Sequence, residues 1–221
     1  VRRISLLAVD LDGTLVDSAP DLAHCVDRAL ESLGLAPPGI DLTRSWIGDG
    51  IETLLQRALA HSGAGRDTEH YPAAFERFSA CYRANLFVRS TLYPQVAETL
   101  DYLVEQRVRL ACVTNKRSAF ADRLLIEAAI RDRFDLVLGG DSLPEKKPSP
   151  MQLLAAAERL QVAPAFAAMV GDSHHDYRAA VGAGFEFVWA KYGYCPAIDP
   201  APRAALATIE SFADLRPLLA G

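Results

Sequence analysis

The stretch Ile4-Ser5-Leu6-Leu7-Ala8-Val9-Asp10-Leu11-Asp12-Gly13-Thr14 decides the fold of this chain. It begins as a short, almost wholly apolar run and stops at two carboxylates and a glycine. A strand buried on both faces of a parallel sheet reads this way, because neither face alternates with solvent. Similar runs follow at 108–113, 134–138, 167–170 and 185–190. They end at Thr114-Asn115, Gly139-Gly140, Gly171-Asp172 and Lys191. Apolar residues recur at helical spacing over 94–106, 117–130, 150–161 and 175–183, between or beside these runs. Strands alternating with helices predict an α/β fold, a doubly wound parallel sheet of Rossmann-like type with helices on both faces.

The interval between the first run and the second has a different character. Segments 20–33, 50–61 and 69–86 carry helical spacing and little strand signal. Pro37-Pro38-Gly39 and Ser62-Gly63-Ala64-Gly65 break them, and Pro94 marks the return to the sheet pattern. The expected organisation is an α/β core from 1–17 and 89–221, with a helical cap domain inserted over 18–88. Residues 196–205 hold three prolines and four alanines, and are expected to form a surface loop.

A chain of 221 residues fits one large or two modest domains. Half its residues are apolar, enough for a sizeable core. The net charge of -5 gives no bulk reason to bind nucleic acid or an anionic membrane. An anionic substrate would need a local positive field from a metal ion, lysines or helix N-termini. Cys25, Cys81, Cys112 and Cys195 are widely and irregularly spaced with no CxxC pair. They read as reduced, mostly buried thiols rather than a zinc or redox site. After Arg2 and Arg3 the apolar run at 4–9 is too short for a signal peptide, and no stretch is long enough to span a membrane. The expectation is a soluble cytoplasmic protein, a monomer or homodimer.

In a parallel α/β sheet ligands sit beyond the carboxyl ends of the strands. The first strand delivers Asp10 and Asp12, whose two-residue spacing puts both side chains on one side of an extended segment. Gly13 lets the chain turn away. The second strand delivers Thr114-Asn115, the connection after the third carries Lys146-Lys147-Pro148, and the fourth delivers Gly171-Asp172 with Asp176 four residues on. Converging carboxylates, a hydroxyl and a lysine suit phosphoryl transfer. A set of hard oxygen donors suits Mg²⁺, which offsets the carboxylate and phosphate charges. One carboxylate can attack phosphorus, and a second can protonate the leaving oxygen and then deprotonate water.

The run Asp10-Leu11-Asp12-Gly13-Thr14-Leu15-Val16-Asp17 resembles the signature of the haloacid dehalogenase superfamily. Thr114, Lys147 and Gly171-Asp172-Ser173 followed by Asp176 resemble its other three motifs, in order, over nearly the whole chain. The resemblance implies Asp10 as nucleophile and Asp12 as general acid and base. It implies Mg²⁺ held by Asp10, the main-chain carbonyl of Asp12 and Asp172, with Asp176 as a further ligand or a residue orienting them. Thr114 and Lys147 would hold the phosphate, beside Gly13, Thr14 and Asn115. Asp12 argues against the dehalogenase branch, which needs no acid there. The stretches Asp17-Ser18-Ala19-Pro20-Asp21-Leu22-Ala23, Trp46-Ile47-Gly48-Asp49-Gly50, 139–148 and Tyr192-Gly193-Tyr194 are similar to the bacterial phosphoglycolate phosphatases. That similarity implies a small phosphorylated metabolite, 2-phosphoglycolate, as substrate. Ser149 departs from the acidic residue of many relatives, and with Pro150 is expected to cap the following helix. His174-His175 is a second departure inside the fourth motif.

Blander readings compete at several positions. Asp172 and Asp176 could merely cap a helix, Thr114 likewise, and Lys147 could be a surface lysine beside Lys146. His174 and His175 cannot readily share one tetrahedral ion and read as helix-start residues. Trp46 reads as helical-domain core and Arg44 as a surface residue. The Gly48-Asp49-Gly50 turn is a candidate loop whose N–H groups face a substrate carboxylate. The same core would also suit a sugar-phosphate phosphatase, a phosphomutase or, more remotely, a non-catalytic phosphate-binding protein.

Overall fold

The computed structural model describes residues 4–65, 69–195 and 205–219. The chain runs β1 (Leu6–Val9), β2 (Val16–Asp17), α1 (Ala19–Glu31), α2 (Gly39–Ser45), α3 (Ile51–His61), α4 (His70–Ala84), β3 (Thr91–Leu92) and α5 (Val96–Glu105). It continues through β4 (Arg109–Val113), α6 (Ser118–Glu127), β5 (Leu136–Leu138), α7 (Met151–Arg159), β6 (Ala167–Gly171), α8 (His174–Ala183), β7 (Glu186–Ala190), β8 (Ala205–Ile209) and α9 (Leu215–Leu219). It divides into two units, Val1–Asp17 with Leu92–Gly221, and Ser18–Thr91.

The first unit is built on a six-stranded sheet in the order β5-β4-β1-β6-β7-β8. Every pairing in it is parallel. Counting only these strands in chain order gives 3-2-1-4-5-6, the doubly wound arrangement. β1 lies in the middle, with Ala8 opposite Ala111 on one side and Met169 on the other. All four of its residues are buried, which is why its sequence does not alternate. Leu6, Ala8, Ala111, Val113, Met169 and Phe187 share a core with Leu153, Ala156 and Ala157 of α7 and Ala179, Ala180 and Ala183 of α8. The alanines leave little side-chain volume between helix and sheet, so the helices pack close. The strand order reverses at β1, and the crevice this opens lies at the carboxyl ends of β1, β4 and β6.

The other unit is helical. Leu22, Val26 and Leu30 of α1, Leu54, Leu55 and Leu59 of α3, and Phe78 and Tyr82 of α4 are buried. The Phe78 and Tyr82 rings stack at 5.3 Å. Asp21, near the start of α1, is fully buried. Its carboxylate accepts hydrogen bonds from the main-chain N–H groups of Val88, Arg89 and Ser90 and from the Ser90 hydroxyl.

Three expectations need correction. The strand Ala205–Ile209 was not expected, and Ala205 belongs to it rather than to the loop read over 196–205; residues 196–204 lie outside the described residues. It pairs only with β7, and such an edge strand need not carry the dense apolar signal of a central one. Helix α2 begins at the glycine of Pro37-Pro38-Gly39, so that break is also a helix start. Helix α7 begins at Met151 with Pro150 as its cap, one residue later than the Ser149 reading; Ser149 Oγ accepts from the Met151 N–H at 3.3 Å. Cys25 and Cys112 are buried, whereas Cys81 and Cys195 are half-exposed. No described helix is long and apolar enough to cross a membrane.

Candidate active site

Asp10 follows β1 directly, and its N–H donates to the Val170 carbonyl of β6 at 2.9 Å, which fixes the end of β1 against its neighbour. Its carboxylate lies with those of Asp172 and Asp176 in a buried cluster whose oxygens fall within 4.8 Å of one another. Lys147 supplies the nearest compensating charge. Its Nζ is 2.6 Å from Asp176 Oδ1, 2.9 Å from Asp10 Oδ1 and 2.7 Å from the Val113 carbonyl. An ammonium has three donors, and all three are engaged here.

One ammonium does not balance three buried carboxylates. Burial pushes Asp10 up to about 7, and the nearby Asp176 and Asp12 add to the rise, with Lys147 opposing it. Burial likewise raises Asp172 well above the carboxylate range, helped by Asp176 and Asp10 and opposed by the Tyr194 N–H. Lys147 is held charged, because Asp10 and Asp176 outweigh the effect of its burial. The cluster therefore lacks positive charge. A divalent cation that takes hard oxygen ligands fits this donor set.

Asp176 has a second duty. Its Oδ2 accepts from the Ser173 N–H at 3.0 Å and the Ser173 hydroxyl at 2.6 Å, forming the box that starts α8. With Oδ1 on Lys147, it orients the lysine as well as capping the helix. Asp172 accepts from the Tyr194 N–H at 2.7 Å. Gly13 has φ +83°, and a Cβ there would stand 2.4 Å from Asp172 Oδ2. Glycine is needed at this position both for the turn and for the close approach of that carboxylate.

Asp12 does not join the cluster with its carboxylate. Its two oxygens each lie 2.9 Å from Lys116 Nζ. The chain leaves extended geometry after Asp10, and Gly13 N–H bonds back to the Val16 carbonyl at 2.9 Å. The two carboxylates of the first motif thus sit on different lysines, Asp10 on Lys147 and Asp12 on Lys116.

Thr114 and Asn115 follow β4 and are buried. Thr114 Oγ1 accepts from the Lys116 N–H at 3.2 Å, and Asn115 Nδ2 donates to the Lys147 carbonyl at 2.9 Å. Thr14 is fully buried, its carbonyl accepting from the Tyr192 hydroxyl at 2.9 Å, and its own hydroxyl has no hydrogen-bond partner among the described residues. Gly48, Asp49 and Gly50 belong to the helical unit. There Arg57 binds Asp49 at 2.6 Å and the Trp46 carbonyl at 3.1 Å, shaping the turn before α3. Trp46 caps α2, half-buried, with its ring against His61. His174 and His175 are the first residues of α8.

Two residues escaped the sequence reading. Lys116 follows Thr114-Asn115 directly, so its position beside the second motif was a usable signal. Gln152 is fully buried in α7, a helix legible in the sequence only by its apolar spacing. Its amide donates to the Gly139 carbonyl at 2.8 Å and the Thr114 carbonyl at 3.3 Å, and accepts from the Lys147 N–H at 3.2 Å. It joins the loops that follow β4 and β5 to the segment that carries Lys147. Nothing in the spacing of α7 marks it.

Residues 7–190 match the family model for haloacid dehalogenase-like hydrolases. The chain is 42% identical to the curated phosphoglycolate phosphatase of Nitrosococcus oceani, over 99% of this chain and 98% of that one. It is 39% identical to the phosphoglycolate phosphatase of Chromobacterium violaceum, over the same shares of the two chains. The crystal structure of a predicted phosphoglycolate phosphatase from Haemophilus somnus superposes with a TM-score of 0.92 at 36% identity, covering 97% of each chain. The family model spans most of the chain and the relatives match over nearly all of it, and the chain belongs to the haloacid dehalogenase-like hydrolases.

Proposed function

We propose that the protein is a phosphatase that hydrolyses a small phosphate monoester, 2-phosphoglycolate, to glycolate and inorganic phosphate. The observation that carries the chemistry is the separation of the first motif's two carboxylates. Asp10 is buried in the cluster with Asp172, Asp176 and Lys147, while Asp12 stands apart on Lys116. A nucleophile and an acid need such different settings. The substrate follows from the names of the curated relatives at 39–42% identity over nearly the whole chain.

Asp10 attacks phosphorus, forming an acyl phosphate and breaking the bond to the ester oxygen. Asp12 gives that oxygen its proton, so that glycolate departs as the alcohol and Asp12 becomes a carboxylate. It then takes a proton from water as the water attacks the aspartyl phosphate, releasing phosphate and restoring Asp10. Asp10, the Asp12 main-chain carbonyl and Asp172 would hold Mg²⁺, with Asp176 orienting the set through Lys147. Bound there, the ion supplies the positive charge that brings a phosphate dianion to a carboxylate nucleophile. Thr114, Asn115, Gly13 and Thr14 line the phosphate side, and Lys147 meets the phosphoryl oxygens by exchanging one of its present acceptors. The helical unit serves as a cap domain, with the Gly48-Asp49-Gly50 turn as a backbone donor to substrate.

The test is phosphate release from a panel of small esters headed by 2-phosphoglycolate, with Mg²⁺ and with EDTA. Mg²⁺-dependent release with a clear preference for 2-phosphoglycolate is expected. Preference for another ester would keep the chemistry and reassign the substrate. Folded protein that releases phosphate from no ester would end the reading.

A further inference from the structure

Two lysines are buried among the strand ends, and they serve opposite poles of the site. Lys147 is committed to the nucleophile side, with its donors on Asp10, Asp176 and Val113. Lys116 lies beside the acid. Its side chain is 6% exposed, and its ammonium is 2.9 Å from both oxygens of Asp12. The main chain under it is pinned as well. Its N–H donates to Thr114 Oγ1 at 3.2 Å, and its carbonyl accepts from the Gly140 N–H at 2.7 Å. The point from which the ammonium emerges is therefore set by the ends of β4 and β5.

Burying a full positive charge is costly, and a neutral donor such as an amide could steady Asp12 without it. The charge itself calls for a use. In the reaction proposed above, Asp12 meets the leaving oxygen. In 2-phosphoglycolate that oxygen is joined through one methylene to a carboxylate. An ammonium in contact with both Asp12 oxygens is within reach of an anionic group so close to the leaving oxygen. A leaving group without such a tail gives it nothing to bind.

Resting on that reaction, we propose that Lys116 is a specificity-determining residue that recognises the carboxylate of the leaving group. The site then selects phosphate esters whose ester oxygen is joined through one methylene to an anionic group. The cluster around Asp10 and Lys147 handles the phosphate, and Lys116 handles the tail.

The experiment compares kcat/KM for three esters of equal length: 2-phosphoglycolate, 2-phosphoglycolamide and O-phosphoethanolamine. The natural protein is expected to prefer the carboxylate over the amide, and the amide over the ammonium. In Lys116→Met the ratio of carboxylate to amide falls by about a hundredfold, because the partner of a buried charge is gone. Lys116→Gln, which keeps a donor for Asp12 without the charge, loses the ratio similarly. Lys116→Arg retains most of it. If both neutral variants slow all three esters by one common factor, Lys116 acts only through Asp12, and the inference is overturned while the phosphoglycolate reading stands. If the natural protein turns over all three esters equally, the phosphoglycolate reading fails and takes the inference with it.

Discussion

Lys147 Nζ and Asp176 Oδ1 stand 2.6 Å apart with both side chains buried, joining the segment after β5 to the first turn of α8. The same ammonium touches Asp10, the proposed nucleophile, and the last carbonyl of β4. One side chain thus ties together strand ends from both sides of β1, where the sheet order reverses. The buried cluster keeps its shape because its charges are held by an element of opposite sign rather than by solvent.

Removing that element should cost stability as well as rate. Lys147→Met leaves buried carboxylates without their cation, and breaking such a pair costs about 3–5 kcal/mol. Asp10 already sits near 7, so the cost is smaller at pH 5, where that group takes up a proton. Chemical unfolding at pH 5 and pH 8 is the measurement. An equal, small loss at both values would show that Lys147 carries no such burden.

Asp10→Asn replaces the attacking oxygen with an amide of the same shape. Turnover should fall by at least about 10⁴-fold, as for loss of a nucleophile. The metal-free fold should be as stable as before or more so, since one crowded carboxylate is gone. A near-normal rate from this variant would refute the covalent route.

The raised carboxylates predict how metal and pH work together. Asp10, pushed up to about 7, and Asp172, raised well above its ordinary value, have folded values above their unfolded ones, so the native state binds more protons than the unfolded chain from about pH 4 upward, through about pH 7 for Asp10. Metal-free protein should lose stability as pH rises through that window. Mg²⁺ competes with those protons, so its stabilising effect should grow over the same window. Melting temperatures with 10 mM Mg²⁺ and with EDTA, taken from about pH 5 to pH 8, check both slopes. A metal-free melting temperature that climbs steadily to pH 8 would contradict the assignment of the cluster.

Gly13→Ala should damage the site without removing a functional group. The turn holds φ at +83°, and the new methyl would meet Asp172 Oδ2 at 2.4 Å. A residue with a side chain is disfavoured in that backbone region, and Asp172 must move. The expected result is a loss of about 1–2 kcal/mol in stability and weaker Mg²⁺ activation. A higher Mg²⁺ concentration for half-maximal rate is the specific sign.

Most of the site residues that could be read from the sequence lie at or just beyond strand ends. Asp10, Thr114, Asp172 and Asp176 follow apolar runs, and a parallel sheet carries such residues to one edge. Lys116 and Gln152 act through contacts with side chains and carbonyls distant in sequence, which no local period records. The sequence spacing of Asp10 and Asp12 suggested one shared side, yet the turn at Gly13 gives each carboxylate its own lysine. β8 escaped because its short Ala205–Ile209 run, with only Ile209 buried, carries no dense apolar signal, and α2 because its first residue is the glycine of a break. Asp21 could be read only as part of a motif, and its reason is structural.

That reason yields a test confined to the helical unit. Asp21 is buried and accepts three main-chain N–H groups and the Ser90 hydroxyl, so it closes the unit's exit strand segment onto its first helix. Burial alone would raise its pKa, but the bonds from Ser90, Arg89 and Val88 outweigh it and hold the carboxyl below its usual value. A lowered folded value means that this stabilisation is complete above the unfolded pKa near 4 and is lost as pH falls through the folded one. Asp21→Asn turns one acceptor oxygen into a donor facing N–H groups, and should cost about 2–3 kcal/mol at pH 7. The difference between variant and natural protein should begin to shrink once pH falls below the unfolded value near 4, as the natural carboxyl starts to take up its proton. Hydrogen exchange should place the damage at residues 88–90 and in α1, with the amides of β1 and β4 keeping their protection. Uniform loosening of the sheet strands would show instead that the contact serves the whole chain rather than the helical unit.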